Sequence, residues 1–270
     1  MQVLNALRKL RRKLQPPPPP APPKRPQWQF VRESDVFLVS YPKSGNTWMR
    51  MLLANYLTDG AADLVTLPEL LPELMREDLE STPNASDPRI LKTHLLPRPE
   101  MKRAIYIVRD GRDVAVSLYH YQIKEQRLDE QTPFEQFAEQ FSSDGVDPYG
   151  RWAEHVATWT NDYPEDSIVL RYEDMLDDAA AQLRKVIEFI GWPCDNQRVD
   201  RAVEASSFER LQDIEKRQGG KFKYLKNTDQ SKRFFRAGRS GQWREYFSDQ
   251  MHQRFIEQNQ AIMSQFGYLE

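Results

Sequence analysis

The stretch "FLVSYPKSGNTWMRMLLANYL" (residues 37–57) decides the fold and contains a candidate anion site. The apolar run "DVFLVS" (35–40) predicts a buried strand, and the amphipathic run from about Asn46 to Leu57 predicts a helix. The loop between them places Lys43 beside the N-terminus of that helix, where unpaired N–H groups and the helix dipole attract anions. The stretch therefore predicts a strand–loop–helix unit that binds phosphate or sulfate.

Three further apolar runs predict strands that follow this unit. They are "RILKTH" (89–94), "AIYIVRD" (104–110) and "SIVLRYEDM" (167–175). Helical patterns follow the last two, and Gly191 is predicted to be the C-cap of the second helix. Alternation of such strands with helices predicts an α/β fold, in which a P-loop-like parallel sheet is flanked by helices on both faces. Residues 27–270 are expected to form this single domain.

Composition limits the class of protein. The chain has 270 residues, 39% of them hydrophobic, which suffices for one substantial core. Its single cysteine, Cys194, allows no intramolecular disulfide and fits a reducing compartment. No apolar run reaches the roughly 20 residues that span a bilayer, and no secretory signal is evident. We therefore expect a soluble cytoplasmic protein, and the sequence shows no metal-ligand spacing.

The N-terminal segment, residues 1–26, differs from the rest of the chain. It carries seven Lys/Arg and no acid, so the remainder holds 31 basic and 40 acidic residues, a net charge of −9. An acidic body does not favour a nucleic-acid-binding protein. The segment combines an amphipathic stripe with the polyproline spacer "PPPPPAPPKRP". Three interpretations remain open: a disordered extension, a tether to a membrane surface or protein partner, or a transit peptide.

The loop of the first unit differs from the common nucleotide-binding loop. The Walker A motif requires G-x-x-x-x-G-K-[ST]. Here Lys43 precedes Gly45 and the first glycine is absent, although Ser44 and Thr47 supply hydroxyl donors. An ordinary ATP or GTP site is therefore doubtful, which weakens the alternative of a nucleotide-kinase-type phosphotransferase.

Two other strand ends carry candidate functional side chains. Arg109 ends an apolar strand, and Ser117 lies about two helical turns further on. An arginine fork suits a phosphate, although a surface salt bridge to an adjacent aspartate is the plain alternative. His94 ends another strand, with Lys92 on the same face. A histidine beside an anion site is a candidate general base.

Six segments in order resemble the soluble, cytosolic-type sulfotransferase family over about residues 30–250. They are "YPKSGNTW" (41–48), "KTHLLP" (92–97), "YIVRDGRDVAVSLYHY" (106–121), "RYEDM" (171–175), "SSFERL" (206–211) and "RFFRAGRSGQW" (233–243). The resemblance implies 3′-phosphoadenosine 5′-phosphosulfate (PAPS) as sulfuryl donor, without a metal or redox cofactor. It also implies a catalytic role for the histidine and lysines of the first two segments.

The resemblance assigns donor-binding roles by motif position. The 5′-phosphosulfate is assigned to Lys43, Ser44, Gly45, Asn46 and Thr47. The adenosine is assigned to Trp48, Tyr172, Ser206, Phe208, Phe234 and Phe235. The 3′-phosphate is assigned to Arg109, Ser117, Arg236 and Gly238.

The sequence departs from the family pattern at two donor positions. Asn46 replaces the usual threonine, and Ala237 stands where relatives usually carry lysine, so that Arg239 becomes a candidate substitute. The dimerisation motif of many animal relatives is not matched in "REYFSDQMHQ". The oligomeric state therefore stays open.

The implied reaction is in-line sulfuryl transfer to a hydroxyl or amine. His94 would act as general base, Lys43 would stabilise the leaving nucleotide, Lys92 would assist, and Ser117 would hold Lys43 back until acceptor binds. A non-catalytic nucleotide-binding module is the main alternative. The acceptor, whether a small alcohol, phenol, lipid or sugar, is left open.

Two other segments bear on the acceptor side. The polar, basic segment 213–233 contains a glycine pair and is expected to form a mobile loop or lid. "PYGRWAEHVATW" (148–159) places Trp152, His155 and Trp159 at helical spacing. We expect this aromatic stripe to be a packing face rather than a pocket wall.

Overall fold

The computed structural model describes residues 28–81, 85–162 and 166–269. The N-terminal segment, residues 1–26, for which three interpretations were left open, lies outside these ranges. Within them, no helix is both long and apolar enough to cross a membrane.

A four-stranded parallel sheet forms the centre of the domain. Its strands are β1 (Val36–Ser40), β2 (Ile90–Thr93), β3 (Arg103–Val108) and β4 (Asp166–Arg171), in the order β2-β1-β3-β4. The predicted α/β class and parallel sheet are confirmed. The last strand is shorter than the predicted 167–175, because a helix begins at Tyr172. The carboxyl end of β1 lies between those of β2 and β3, which brings the three predicted motifs to one edge.

Ten α-helices are described around the sheet. They are α1 (Asn46–Leu57), α2 (Leu67–Leu70), α3 (Gly111–Lys124), α4 (Phe134–Asp144), α5 (Trp152–Ala157), α6 (Tyr172–Asp177), α7 (Ala179–Ile190), α8 (Asn196–Ala205), α9 (Phe208–Gln218) and α10 (Asp249–Gln265). A π-helical turn, Thr158–Asp162, continues α5, and 3₁₀ turns occupy Trp28–Phe30 and Gln242–Glu245. The predicted C-cap of α7 is confirmed, since Gly191 has a φ of 89° and its N–H donates to Ile187.

Alternate side chains of β1 point into two hydrophobic cores, one on each face of the sheet. Val36 and Leu38 pack with residues of α1, α7 and α8, whereas Phe37 and Val39 pack with residues of α3, α4, α5 and α10. A strand buried on both faces is continuously apolar, as its sequence is. This double burial fixes the loop that follows β1.

The predicted loop at 213–233 is partly helical, because α9 extends to Gln218. Two buried charges then tie the rest of the segment to the domain. Lys124 Nζ donates to the carbonyls of Asp229 (2.9 Å) and Lys232 (2.6 Å), and Glu215 accepts from the N–H of Phe234 (2.6 Å). The segment is therefore anchored beside the cavity described below.

The aromatic stripe on α5 packs as predicted. Trp152 and Trp159 are 2% and 1% exposed, and His155 is fully buried. Among the residues that the structure describes as lining the cavity, neither tryptophan is present.

Candidate active site

A cavity of about 660 Å³ opens at the carboxyl edge of the sheet, where the loops after β1, β2, β3 and β4 meet. Most of the predicted site residues lie in its wall. They are Lys43, Gly45, Asn46, Thr47, Trp48, Lys92, His94, Arg109, Ser117, Tyr172, Phe208, Phe234, Phe235, Arg236 and Gly238. Residues far apart in sequence thus converge on one site.

Two predicted donor residues lie behind the wall. Ser206 is fully buried, and its carbonyl accepts a hydrogen bond from Trp48 Nε1 at 3.0 Å, while its Oγ accepts from Asn55 Nδ2. Ser206 therefore orients the Trp48 indole and is not itself among the described residues that line the cavity. Ser44 is also fully buried, and its Oγ has no hydrogen-bond partner among the described residues.

The backbone of the loop after β1 is held in an uncommon conformation. Lys43 has a φ of 70°, which non-glycine residues rarely adopt and which is frequent at functional sites. Gly45 has a φ of 98°, and a Cβ there would lie 2.6 Å from the Tyr172 ring. Asn46 turns its side chain inward, where Nδ2 donates to the Leu38 carbonyl at 3.2 Å. Asn46 can thus offer its backbone N–H to a ligand, whereas its side-chain Nδ2 is already engaged and its buried Oδ1 has no hydrogen-bond partner among the described residues.

The Lys43 ammonium lies between two aromatic rings. Its Nζ is 4.1 Å from the centroid of Tyr121 and 3.8 Å from that of Phe234. The sequence suggested Ser117 as the partner of Lys43, whereas the structure gives it these cation–π contacts. Burial lowers the pKa of Lys43 to about 7, and the nearby carboxylate of Glu125 opposes this shift.

The guanidinium of Arg109 bridges two loops. Nη1 donates to the Lys43 carbonyl at 3.2 Å and Nη2 to the Arg239 carbonyl at 3.1 Å. The guanidinium also lies 4.2 Å from the ring centroid of Tyr172. Its nearest carboxylate is Asp113 at 3.9 Å. The predicted alternative, a surface salt bridge, does not describe this side chain, because Arg109 is only 6% exposed.

The imidazole of His94 has a defined tautomer. Nδ1 lies 2.7 Å from the carbonyl oxygen of Ser40, the last residue of β1. A carbonyl can only accept, so Nδ1 carries the proton and Nε2 keeps its lone pair. Burial and the Lys92 charge keep the pKa of His94 well below its ordinary value of 6.5. His94 therefore presents a neutral, basic nitrogen at neutral pH.

Lys92 has a buried partner that sequence reasoning missed. Its Nζ lies 2.9 Å from Glu73 Oε1. Both side chains are 8% exposed, and each residue as a whole is 6% exposed, so the ion pair is buried. Burial lowers the pKa of Lys92 to about 8, although the Glu73 charge opposes it. Burial alone would raise the pKa of Glu73, but Lys92, Arg76 and Arg50 lower it to about 2. The pair forms because the backbone of residues 72–74 makes hydrogen bonds to the backbone of Lys92 on β2. No local pattern in the sequence indicates this contact.

The donor half of the site fits a ligand with two anionic groups and a ring. Lys43, Arg109 and Arg236 supply cations, while Ser44 Oγ and Arg109 Nε are buried without partners among the described residues. An unpaired buried donor costs free energy, so an anionic oxygen beside it would be stabilising. A Cβ at Gly238 would lie 2.4 Å from the Phe208 ring, so the backbone approaches this aromatic side chain closely.

Arg239 is the candidate substitute for the lysine that relatives usually carry at the position of Ala237, but it has another partner. The Arg239 guanidinium pairs with exposed Glu245. Ala237 itself lines the cavity. Among the described residues, no group of three or more His, Cys, Asp and Glu side chains is arranged to hold a metal ion.

Comparisons with known proteins agree with this geometry. A family model described as the sulfotransferase domain matches residues 33–267. The chain is 30% identical to sulfotransferase 1B1 of Canis lupus familiaris, over 83% of this chain and 81% of that protein. It is also 30% identical to flavonol 3-sulfotransferase of Flaveria bidentis, over 81% and 78% of the two chains.

Solved structures of similar proteins contain the adenosine bisphosphate PAP. Retinol dehydratase in a complex with retinol and PAP is 25% identical, with a TM-score of 0.70 over 86% of this chain and 82% of that one. A mouse sulfotransferase complexed with PAP is 25% identical, with a TM-score of 0.63 over 88% and 89%.

Proposed function

The chain belongs to the sulfotransferase family and is a PAPS-dependent enzyme, and on that premise we propose that it transfers a sulfuryl group from PAPS to a small-molecule hydroxyl or amine, with His94 as general base. The observation that carries this proposal is the His94 imidazole, whose Nδ1–H is fixed on Ser40 and whose Nε2 is available at the cavity wall.

For the donor, we propose that the loop 43–47 holds the 5′-phosphosulfate and that Arg109, Ser117 and Arg236 hold the 3′-phosphate. The helix N-terminus of α1 supports the first assignment, because its N–H groups attract an anion. The buried guanidinium of Arg109 supports the second. Trp48 and Phe208 are assigned to the adenine, and the PAP found in two relatives supports a donor of this class.

In the proposed chemical step, His94 Nε2 takes the proton of the acceptor as its oxygen or nitrogen forms a bond to sulfur. The bond between sulfur and the bridging oxygen breaks, and the nucleotide leaves with the electron pair. Lys43 stabilises the resulting negative charge, and Lys92 assists near the transferred group. No metal is needed for this step, because the buried cations supply the electrostatic stabilisation.

For the acceptor, we propose a small molecule whose reactive group sits at the end of a mainly apolar body. Met75, Tyr149, Phe222 and Tyr224 line the cavity, and Tyr149 contacts the His94 ring edge-on, at 5.6 Å between centroids. Retinol and flavonols appear in the names of relatives and are compatible with such walls.

The direct test of this function is a donor-coupled screen with alcohols, phenols, sterols, sugars and amines, monitoring the release of adenosine 3′,5′-bisphosphate. We expect turnover with at least one hydroxyl or amine class. Failure with every class, despite tight binding of the bisphosphate, would favour the non-catalytic module over the enzyme.

Replacing Arg109 with alanine is expected to weaken binding of adenosine 3′,5′-bisphosphate about 10- to 100-fold, as charged hydrogen bonds contribute roughly 1.5–3 kcal/mol. Calorimetry with this ligand and with adenosine 5′-monophosphate separates recognition of the two phosphates. The loss should be smaller for the monophosphate, which lacks the 3′-phosphate. Exposed Arg254 provides the control Arg254→Ala. Equal losses for both ligands would contradict the assignment.

The pH dependence follows from the direction of two pKa shifts. His94 must be neutral, and its lowered pKa places the acid limb of kcat/KM for the donor below pH 6.5. Lys43 must be protonated, so the alkaline limb should begin near pH 7. Lys43→Arg stays charged and should shift this limb to about pH 8, where Lys92 titrates. Profiles of the two enzymes check this, and an unmoved alkaline limb would exclude Lys43 as its origin.

A further inference from the structure

Two buried side chains outside the cavity donate hydrogen bonds to the backbone that carries His94. His155 Nε2 lies 2.9 Å from the His94 carbonyl, and Trp159 Nε1 donates to the Leu95 carbonyl at 3.0 Å. The two residues are four apart on α5 and its π-helical continuation, so they face the same way. Because β2 ends at Thr93, these carbonyls lie beyond the strand pairing that holds the preceding residues.

A third buried residue fixes the tautomer of His155. Since the His94 carbonyl can only accept, His155 Nε2 carries the proton, and Nδ1 accepts from the Tyr106 hydroxyl at 2.9 Å. Tyr106 also stacks on Trp159, with 6.0 Å between centroids and 18° between planes. Burial lowers the pKa of His155 to about 4, so the ring stays neutral. The hydrogen bonds therefore run in one direction. Tyr106 on β3 donates to His155 on α5, and His155 donates to the carbonyl of His94, the residue after β2.

We propose that His155 and Trp159 are positioning residues for His94, and that they fix its backbone so that Nε2 points into the cavity. This inference rests on the proposed role of His94 as general base. The imidazole is then held at two places: Ser40 fixes the ring through Nδ1, and α5 fixes the main chain. A displacement of about 1 Å at a reacting group can cost about 100-fold in rate, so this support is expected to affect turnover more than donor binding.

A matched pair of substitutions tests the tryptophan. Trp159→Phe removes an indole N–H that donates to Leu95, whereas Trp152→Phe removes one with no hydrogen-bond partner among the described residues. Both tryptophans lie on the same helical segment and are buried. We expect Trp159→Phe to lower kcat by about tenfold with an unchanged dissociation constant for adenosine 3′,5′-bisphosphate. Trp152→Phe should match the wild type in both, and an equal kcat for the two variants would overturn the proposal.

The histidine is tested by its conservative variant. His155→Gln can keep a donor towards the His94 carbonyl, whereas His155→Leu cannot. The leucine variant should lose kcat by about 10- to 100-fold, and glutamine should restore most of it. Equal losses in the two variants, or bisphosphate binding that falls in parallel with kcat, would make the role merely structural. Absence of turnover in the wild-type enzyme would instead contradict the proposed function.

A readout independent of turnover is the tautomer of His94. Nitrogen-15 spectra of histidine-labelled protein should show Nδ1 protonated in the wild type and in Trp152→Phe. Trp159→Phe should perturb the His94 resonances. Identical His94 resonances in all three proteins would overturn the proposal whether or not an acceptor is known.

Discussion

Replacing His94 with asparagine is expected to lower kcat by about 10²- to 10⁴-fold, the range that general-base catalysis typically contributes. Asparagine can still donate a hydrogen bond to the Ser40 carbonyl, as Nδ1 does in the native site. It lacks a basic nitrogen in place of Nε2, however. The variant therefore removes the base and keeps its anchor, and kcat with saturating donor is the quantity to measure.

The same variant should bind adenosine 3′,5′-bisphosphate with wild-type affinity, because His94 directly follows β2, whereas the proposed phosphate contacts lie after β1 and β3. His252→Asn is the matched control, since His252 contacts Arg112 and belongs to α10. A near-normal kcat for His94→Asn would contradict the general-base assignment. Parallel loss of kcat and bisphosphate affinity would indicate a collapsed site instead.

Replacing Lys43 with methionine is expected to lower kcat by about 10²- to 10³-fold, the size typical of losing one donor that stabilises a developing oxyanion. Methionine resembles the apolar part of lysine in length and can occupy the space between the Tyr121 and Phe234 rings. The change therefore removes mainly the charge. Single-turnover rates with bound donor would separate this loss from a change in affinity.

Lys185→Met on α7 is the control for Lys43→Met, because Lys185 is exposed and contacts only the Val169 carbonyl in the described hydrogen bonds. Lys43→Arg should fall between methionine and the wild type, since it keeps the charge but not the shape. A methionine variant with wild-type kcat would contradict the leaving-group role. A loss confined to donor affinity would limit Lys43 to binding.

Much of the fold, and the placement of most candidate site residues around one cavity, could be predicted because the relevant patterns are local. The apolar run of β1, the loop at 41–45 and the helix α1 are contiguous, and double burial makes such a strand continuously apolar. The convergence of Lys43, His94 and Arg109 followed from one general rule, that parallel strands of an open α/β sheet place ligands at their carboxyl ends.

Two features of the site that could not be predicted depend on contacts between distant segments. Glu73 pairs with Lys92 only because a loop segment bridges to β2. Lys43 contacts Phe234, which arrives from a segment that Glu215 and Lys124 anchor. Residue types and spacing carry no information about such pairings.

Helix boundaries and second-layer residues show the same limit. The polar segment after residue 213 appeared to be a loop, but α9 continues to Gln218. Ser206 was assigned to the nucleoside, but the fold places it behind Trp48. Polarity alone does not separate an exposed helix face from a loop, nor a residue that contacts a ligand from one that holds a contacting side chain.

Sulfuryl transfer from PAPS in this cavity is tested most directly by one assay. Sulfur-labelled PAPS is incubated with enzyme and with the best acceptor from the screen, and both labelled product and released adenosine 3′,5′-bisphosphate are quantified. We predict that label enters the acceptor in equal amount to the bisphosphate released, and that His94→Asn lowers both rates by the same factor, about 10²- to 10⁴-fold. Release of bisphosphate without labelled acceptor, or no release with any acceptor, would contradict the claim.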